Sequence, residues 1–174
     1  YNHFYTMIMD TEIKTKLKKI KLVITDVDGV LTDGGMYYNE NGECMKKFNT
    51  RDSMGMELLL QNNIKTVLVT REDSKIVQER VKKIKIVDLF SGVLKKEELF
   101  PDLLEKYNVS NDETAYIGDD VNDLEIMKVV GFSSTPYDGN MVVKDIADYI
   151  CKTSGGAGVF REVADLILNS KTNQ

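Results

Sequence analysis

Several charged and hydroxyl side chains of this 174-residue sequence stand where a short apolar run ends. Short β-branched runs bounded by turn residues are typical of buried strands. Because the carboxyl ends of parallel strands meet at one edge of a sheet, and ligands bind outside that edge, we expect these side chains to converge. The residues concerned are Asp26, Asp28, Thr70, Lys96, Asp119 and Asp120.

A cluster of carboxylates of this kind points to a divalent cation. Unpaired carboxylates within a few ångströms of each other repel and would take up protons unless a cation neutralised them. Mg²⁺ is the predicted cofactor, because it prefers oxygen ligands and keeps open positions for water and a phosphate group. The sequence offers no paired His or Cys beside these carboxylates that would favour another metal.

The spacing of Asp26 and Asp28 suits phosphoryl transfer. Side chains at positions i and i+2 of an extended chain point the same way, so both carboxylates can address one phosphoryl group. Asp26 would attack phosphorus and form an aspartyl-phosphate, while Asp28 would protonate the leaving alkoxide and then activate water. Thr70 and Lys96 would hold the other phosphoryl oxygens and offset the charge of the transition state.

These side chains require an α/β framework to position them. Strand-like runs alternate with amphipathic helical stretches from Lys21 onward, which predicts right-handed crossovers and a doubly wound parallel sheet covered on both faces. The predicted strands are 22–25, 66–70, 87–90, 114–118, 131–134 and 149–150. The predicted helices are 53–61, 74–83, 96–107, 122–129 and 159–168.

Two segments depart from this alternation. Residues 35–48 contain two strand-like runs about an Asn-Glu-Asn-Gly turn, which predicts a β-hairpin inserted after the first strand, with no large cap domain. Residues 1–20 hold too few apolar positions for a helix, so we interpret them as a frayed lead-in whose first residues are candidates for a non-native extension. The predicted organisation is therefore one domain over 21–170 and a tail at 171–174.

The composition narrows the classes of function. With 42% apolar residues, the chain is long enough for one compact core. The net charge of −5 is spread along the sequence, which argues against a nucleic-acid surface. No apolar run reaches the roughly 18 residues of a membrane span, and Cys44 and Cys151 lack partners at metal-ligand or disulfide-framework spacing. We expect a soluble cytoplasmic protein that binds neither membrane nor nucleic acid.

Four motifs resemble, in order and spacing, those of the haloacid dehalogenase (HAD) superfamily of phosphatases. They are the segment Asp26-Val-Asp-Gly-Val-Leu-Thr-Asp-Gly34, Thr70, Lys96 and the segment Gly118-Asp-Asp-Val-Asn-Asp123. The inserted hairpin, an FNxRD motif at 48–52 and a GGxGxxRE motif at 155–162 resemble more narrowly the sugar-acid phosphatase branch of that superfamily. The resemblance covers about residues 21–168 and implies the HAD-like, Rossmann-type fold.

The resemblance implies a role for each matching residue. Asp26 would be the nucleophile and Asp28 the general acid and base, while Thr70 and Lys96 would bind phosphate. Mg²⁺ would be held by the Asp26 carboxylate, the Asp28 backbone carbonyl and Asp119. The metal-bound waters or Lys96 would be oriented by Asp120, Asn122 and Asp123.

The small insertion favours assembly into a homo-oligomer. A reactive acyl-phosphate benefits from a site shielded from water, and here a neighbouring subunit would supply the lid that a cap domain supplies elsewhere. The resemblance implies a homotetramer in which the hairpin, with Tyr37 and Tyr38 on its first strand, packs between subunits. The loop 155–158 would reach a neighbouring site.

Within this branch, the expected substrate is the phosphate monoester of a 2-keto-3-deoxy sugar acid. Its carboxylate needs a cation, for which Arg51, Arg71 and Lys83 are candidates. The eight-carbon type, which acts on 3-deoxy-manno-octulosonate (KDO) 8-phosphate, usually has Gly-Arg in place of Arg71-Glu72 and Arg in place of Ala157. We therefore expect a nine-carbon acid, KDN or N-acylneuraminate 9-phosphate, with Glu72 and Lys83 contacting its chain, and keep KDO 8-phosphate as the alternative.

Two further classes of function remain open from the sequence. Domains of this branch also occur fused to sialic-acid cytidylyltransferases, which leaves a role in assembly rather than turnover as an alternative, although the complete catalytic set favours an enzyme here. A phospho-acceptor receiver domain also uses Asp, Thr, Lys and Mg²⁺. Its acidic pair precedes Thr and Lys, whereas Asp119 and Asp120 follow Lys96 in this sequence.

Overall fold

A computed structural model describes residues 11–172 and divides them into eight strands and seven α-helices. The strands are β1 (Leu22–Thr25), β2 (Tyr37–Asn39), β3 (Gly42–Met45), β4 (Lys65–Val69), β5 (Asp88–Phe90), β6 (Thr114–Ile117), β7 (Phe132–Thr135) and β8 (Tyr149–Ile150). The helices are α1 (Thr11–Lys19), α2 (Thr50–Gln61), α3 (Lys75–Val81), α4 (Lys96–Tyr107), α5 (Leu124–Met127), α6 (Met141–Lys144) and α7 (Val159–Thr172).

Six strands form one parallel sheet in the order β5-β4-β1-β6-β7-β8, which confirms the predicted doubly wound α/β architecture. Every residue of β1 is buried, because helices cover both faces of the sheet. One apolar cluster lies under α1, α2 and α7, and a second lies under α4 and α5. In register, Thr25 of β1 lies beside Leu68 of β4 and Ile117 of β6, so these three strands end together.

The frayed lead-in expected for residues 1–20 is wrong for the part that the structure describes, because α1 packs against the core beside α7. Leu17 and Ile20 are fully buried, and Ile13 packs against the same cluster. These residues are spaced about one helical turn apart, so a few apolar side chains suffice to line one face while the lysines point away. Lys16 adds an ion pair with Asp148 at 2.6 Å. Residues 1–10 lie outside the described part of the chain.

The predicted hairpin is present. β2 and β3 pair in antiparallel fashion, and Gly42 takes a φ of +110° in the turn, a conformation that favours glycine. An isolated antiparallel bridge between Thr32 and Phe48 closes the base of the insertion. Large apolar side chains of the hairpin remain exposed to solvent in the single chain, namely those of Met36, Tyr37, Tyr38 and Met45.

The bounds of four of the five predicted helices differ from the predictions. Helix α2 begins at Thr50, three residues earlier than expected, and α3 is shorter than the expected 74–83 at both ends. The helix expected over 122–129 is a 3-10 turn at Val121–Asp123 followed by the short α5, because the Asp120 and Asp123 side chains cap the turn. Helix α7 continues to Thr172, so the predicted tail at 171–174 is helical in its described part. Within residues 11–172, no helix is long and apolar enough to cross a lipid bilayer.

Candidate active site

Asp26 occupies the first position after β1, the central strand. Its N–H donates to the Ile117 carbonyl of β6 at 2.9 Å, which continues the strand pairing and fixes the backbone at this point. Asp26 Oδ1 accepts a hydrogen bond from the Val27 N–H at 2.7 Å, and Oδ2 lies 2.8 Å from Lys96 Nζ. Asp26 is only 5% exposed, so its charge must be balanced by neighbouring groups rather than by water.

Lys96 begins α4 and brings its ammonium into the carboxylate cluster. Nζ lies 2.8 Å from Asp26 Oδ2 and 2.7 Å from Asp123 Oδ1, with the Tyr116 ring centroid 5.9 Å away. Burial alone would lower the pKa of Lys96, but the Asp26 and Asp123 carboxylates outweigh burial and raise it above the usual value. Lys96 is therefore a buried, permanently charged bridge between the two carboxylates.

The loop after β6 folds about Asp123. Its Oδ1 accepts hydrogen bonds from Lys96 and from the Tyr116 hydroxyl, each at 2.7 Å. Its Oδ2 accepts from the N–H groups of Asp119 at 3.0 Å and Asp120 at 3.4 Å. Both oxygens of Asp123 are therefore engaged in holding Lys96 and the loop, as expected if Asp123 orients Lys96.

Asp119 supplies a carboxylate whose oxygens are free. Oxygens of Asp26, Asp119 and Asp123 lie within 4.8 Å of one another, and no residue between 11 and 172 donates a hydrogen bond to the Asp119 carboxylate. Burial, together with the charges of Asp26 and Asp123, raises the pKa of Asp119 to about 8. Burial and the charge of Asp123 raise the pKa of Asp26 to about 7, against the opposing effect of Lys96.

This donor set fits Mg²⁺. Carboxyl groups whose pKa values are raised by burial and mutual repulsion are the groups that a divalent cation relieves. Oxygen donors with room left for waters and a phosphate group are the coordination that Mg²⁺ favours. The Asp26 and Asp119 carboxylates can hold the ion from two neighbouring strand ends, and the backbone carbonyl of Asp28 belongs to the same loop as Asp26.

Gly29 provides the space that Asp119 occupies. A Cβ atom at position 29 would lie 1.9 Å from Asp119 Oδ2, and the φ of Gly29 is +83°. Any other residue would both strain the backbone and displace the Asp119 carboxylate. The glycine of the Asp-Val-Asp-Gly segment is therefore required by packing against the metal site.

Asp28 is held by a residue that the sequence analysis did not identify as part of the site. Its Oδ1 accepts hydrogen bonds from Lys46 Nζ at 2.7 Å and from the Thr32 hydroxyl at 3.2 Å. The Lys46 side chain is fully buried and also lies 2.8 Å from Glu43 Oε1. The sequence indicates this contact only through the position of Lys46 at the end of the inserted hairpin, because the chain must return there to the loop at which the hairpin began.

The predicted phosphate ligand Thr70 directly follows β4 and lies at the same edge of the sheet as Asp26. It is buried, and its N–H donates to the Phe90 carbonyl of β5 at 2.9 Å. Arg71 and Glu72 come next and are exposed, so they face solvent beside this edge. Arg51, at the start of α2, is also exposed; atoms of its side chain would lie 3.7 to 3.8 Å from a Cβ atom at Gly158.

The structure does not bring Glu72 and Lys83 together. They lie on either side of α3, whose seven residues span about 10 Å. The chain after Lys83 continues to Val87, whose N–H donates to the Thr66 carbonyl near the beginning of β4. Lys83 therefore lies toward the opposite edge of the sheet from Glu72.

The remaining predicted residues shape the loop after β6. Asp120 Oδ1 accepts hydrogen bonds from the Val121 N–H at 2.8 Å and from Asn140 Nδ2 at 3.0 Å. Asn122 is half-buried in the 3-10 turn between Asp120 and Asp123. Asp120 therefore links this loop to Asn140, which precedes α6.

The glycine loop at 155–158 packs against its own chain. The Gly156 N–H donates to the Val30 carbonyl at 3.0 Å, and a Cβ atom at Gly155 would lie 2.1 Å from the Gly29 carbonyl oxygen. Both contacts are made with the loop that carries Asp28. The glycines therefore allow a close approach that supports the catalytic loop from behind, while Ala157 is exposed.

Taken with the parallel sheet, a buried Asp-Lys-Asp bridge beside a free carboxylate defines a Mg²⁺-dependent hydrolase of the phosphatase type. The protein-family model for haloacid dehalogenase-like hydrolases matches residues 69–163. The chain belongs to this family. The receiver-domain alternative is thereby excluded.

Relatives narrow the comparison within the family. The 3-deoxy-D-manno-octulosonate 8-phosphate phosphatase of Haemophilus influenzae is 41% identical over 159 residues, which cover 91% of this chain and 88% of the relative. The enzyme of the same name from Escherichia coli K12 is 38% identical over 160 residues, covering 92% and 85%.

Solved structures give the same picture. The cobalt-bound H. influenzae phosphatase superposes with a TM-score of 0.87 at 42% identity, covering 90% of this chain and 91% of that one. The Moraxella catarrhalis phosphatase, in complex with magnesium ion, phosphate ion and KDO, superposes with a TM-score of 0.89 at 36% identity, covering 93% of each chain. These findings favour the eight-carbon alternative over the nine-carbon acid that the sequence analysis expected.

The raised carboxyl pKa values predict how Mg²⁺ stabilises the protein. The pKa values of Asp26 and Asp119 are about 7 and 8 in the folded chain, against a usual value of 3.8. The stability linked to these protons is therefore complete at low pH and is lost as pH rises toward 8 in metal-free protein. Because Mg²⁺ replaces the protons, we expect it to raise Tm more at about pH 8.5 than at about pH 5.5.

Thermal unfolding with excess chelator and with Mg²⁺ at both pH values checks this expectation. The Asp119→Asn variant is the control, because it removes one of the two titrating carboxyls and should reduce the difference between the two pH values. An equal Mg²⁺-induced shift in Tm at both pH values would contradict the assignment of these carboxylates as the metal site.

Proposed function

We propose that this protein is a phosphatase that hydrolyses KDO 8-phosphate through an aspartyl-phosphate formed on Asp26. The observation that carries the proposal is the bridge from Asp26 Oδ2 to Lys96 Nζ at 2.8 Å, beside the free Asp119 carboxylate. The complete set of converging groups favours turnover over a purely assembling role. The names of the relatives support the eight-carbon substrate.

The bridge prepares Asp26 for attack on phosphorus. Lys96 and the Val27 N–H each engage one carboxylate oxygen, so the side chain cannot rotate away from the strand end. Asp26, Asp119 and the Asp28 carbonyl would hold Mg²⁺, which would supply positive charge to offset the carboxylates and the phosphoryl oxygens. Lys96 then offsets the negative charge that grows on the phosphoryl oxygens.

The reaction then needs one nucleophile and one proton carrier. An Asp26 oxygen bonds to phosphorus, the ester P–O bond breaks, and Asp28 gives its proton to the departing alkoxide. Asp28 next takes a proton from a water molecule as the water oxygen bonds to phosphorus. The bond from phosphorus to Asp26 breaks, inorganic phosphate leaves and Asp26 is again a carboxylate.

The groups beyond the phosphate would recognise the sugar acid. Thr70 lies at the strand end beside Asp26 and would hold a phosphoryl oxygen through its hydroxyl. Arg51 and Arg71 are exposed cations on the site side of the sheet and are the candidates for the substrate carboxylate. Lys83, the third candidate cation, is separated from Glu72 by α3.

Replacing the nucleophile tests the mechanism. We expect the Asp26→Asn variant to lose at least about a thousandfold in kcat, because the amide cannot form the phosphoenzyme, while the far-UV circular dichroism stays native. Asp102→Asn, which alters an exposed carboxylate on α4, is the matched control and should keep wild-type activity. Wild-type turnover by Asp26→Asn would exclude the aspartyl-phosphate mechanism.

The nine-carbon alternative keeps one supporting observation. The exposed pair Arg71-Glu72 follows Thr70 directly, where the KDO 8-phosphate type usually has Gly-Arg, and so alters the groups beside the substrate chain. Glu72 could accept hydrogen bonds from the additional hydroxyl groups of a nine-carbon acid.

A comparison of kcat/KM for KDO 8-phosphate, KDN 9-phosphate and N-acetylneuraminate 9-phosphate on one preparation decides between the substrates. We expect KDO 8-phosphate to be preferred by about tenfold or more, equivalent to about 1.4 kcal/mol of transition-state binding. A tenfold preference for either nine-carbon substrate would reverse the proposal. Equal and poor rates on all three would favour the assembly role.

We also propose that the enzyme is a cytoplasmic homotetramer. Tyr38 is 63% exposed and Met45 55% exposed in the single chain, which is a large apolar surface for a hairpin and suits burial between subunits. The free thiols of Cys44 and Cys151 suit a reducing compartment.

Light scattering tests the oligomeric state. We expect a tetramer for the wild type and smaller species for Tyr38→Lys, because a buried interface does not accept an unpaired ammonium. Tyr137→Lys is the matched control, since Tyr137 is also 63% exposed but lies outside the hairpin. A fully active wild-type monomer would contradict the shared lid.

A further inference from the structure

Lys46 connects the hairpin to the loop that carries Asp28. Its ammonium lies 2.7 Å from Asp28 Oδ1 and 2.8 Å from Glu43 Oε1, and its side chain is 0% exposed. Glu43 Oε2 in turn accepts a hydrogen bond from the Ser74 hydroxyl at 2.6 Å. A continuous series of polar contacts therefore runs from the segment after Thr70, through the hairpin, to Asp28.

The two carboxylate oxygens of Asp28 differ in their surroundings. Oδ1 accepts hydrogen bonds from Lys46 and from the Thr32 hydroxyl, and the Thr32 oxygen itself accepts from the Gly29 and Gly34 N–H groups at 3.3 Å each. Oδ2 is buried and accepts no hydrogen bond from any residue within 11–172. Buried acceptors are nearly always paired, so an unpaired oxygen marks the atom that is left for another partner.

We propose that Lys46 is the positioning residue for Asp28, holding Oδ1 so that Oδ2 is the atom that exchanges the proton. This inference rests on the proposed phosphatase function. In the first step, the proton on Oδ2 passes to the alkoxide as the ester P–O bond breaks and the bond from phosphorus to Asp26 forms. In the second step, Oδ2 takes a proton from water as the water oxygen displaces Asp26 from phosphorus.

Glu43 links the position of Lys46 to the docking of the hairpin over the catalytic loop. Lys46 lies between two carboxylates and is buried, so its ammonium has no alternative partner in water. Glu43 holds one side of the ammonium from β3, and Asp28 is aligned on the other side. Displacement of the hairpin would therefore release Asp28 as well as open the site.

The test separates positioning of the acid from general support of the fold. We expect Lys46→Met to lower kcat on the best sugar-acid phosphate by about tenfold or more with KM within about threefold of wild type, because general acid–base catalysis contributes about 10²–10⁴-fold. The departing p-nitrophenolate needs no proton. The burst of p-nitrophenolate from p-nitrophenyl phosphate should therefore fall less than about threefold in rate.

Matched variants complete the experiment. Lys47→Met alters the adjacent, exposed lysine and should behave as wild type, while Lys46→Arg keeps a cation and should recover part of the lost kcat. The double variant Glu43→Gln with Lys46→Met leaves the net charge unchanged and relieves repulsion between Glu43 and Asp28. The double variant replaces Lys46→Met in the test if that single variant unfolds. It should lose kcat on the sugar-acid phosphate but keep the burst of p-nitrophenolate.

Two results would overturn the inference. One is wild-type kcat on the sugar-acid phosphate in the folded Lys46→Met or double variant, and the other is an equal loss with both leaving groups. Failure of the proposed function itself is distinguishable, because the wild type would then hydrolyse none of the phosphate esters.

Discussion

Burial of negative charge around a single ammonium is the constraint on which this structure depends. Asp26 and Asp123 are nearly inaccessible to water, and Lys96 lies within 2.8 Å of both. Removing one member of such a buried set costs about 3–5 kcal/mol, because the remaining charges lose their compensation. A buried carboxylate directly after the central strand therefore depends on two other elements. Helix α4 places Lys96 beside Asp26, and the loop after β6 places Asp123 beside Lys96.

The glycines near the site leave the space that the buried charged groups need in order to lie close together. The Asp119 carboxylate occupies the space that a side chain at position 29 would need. Side chains at positions 155 and 156 would likewise collide with the loop that carries Asp28. A Cβ atom at Gly118 would lie 2.5 Å from the Cβ of Asp123, so this position also requires glycine. Close approach of the backbone therefore allows the carboxylates to converge.

The sequence predicted the sheet, the convergence of Asp26, Lys96 and Asp119, and the place of Thr70 at the same edge. These follow from local pattern, because buried strands are apolar runs and parallel strands end at one edge. Helix α1 was missed because only a narrow apolar stripe, including Leu17, marks it among lysines. Its burial depends on α7, which is distant in sequence.

Long-range packing also determines which residues surround Asp28, so local sequence patterns do not predict them. Lys46 and Lys47 are identical neighbours, yet one is fully buried and the other is 66% exposed along its side chain. Only the docking of the hairpin over the catalytic loop distinguishes them. The glycines at 155–158 are likewise packed against a loop that is distant in sequence, a contact that no local pattern predicts.

The order of strands has a consequence for the rates of folding and unfolding. β1 lies between β4 and β6, and neither strand is its neighbour along the chain. Asp26, Lys96 and Asp123 therefore meet only after distant segments have paired, and loop closure must be complete before the ion pairs repay it. We therefore expect the charged site to form late, on a sheet already held by apolar contacts. A cation that binds only this finished site acts after the folding barrier, so it lengthens the lifetime of the native state and leaves the rate of its formation almost unchanged.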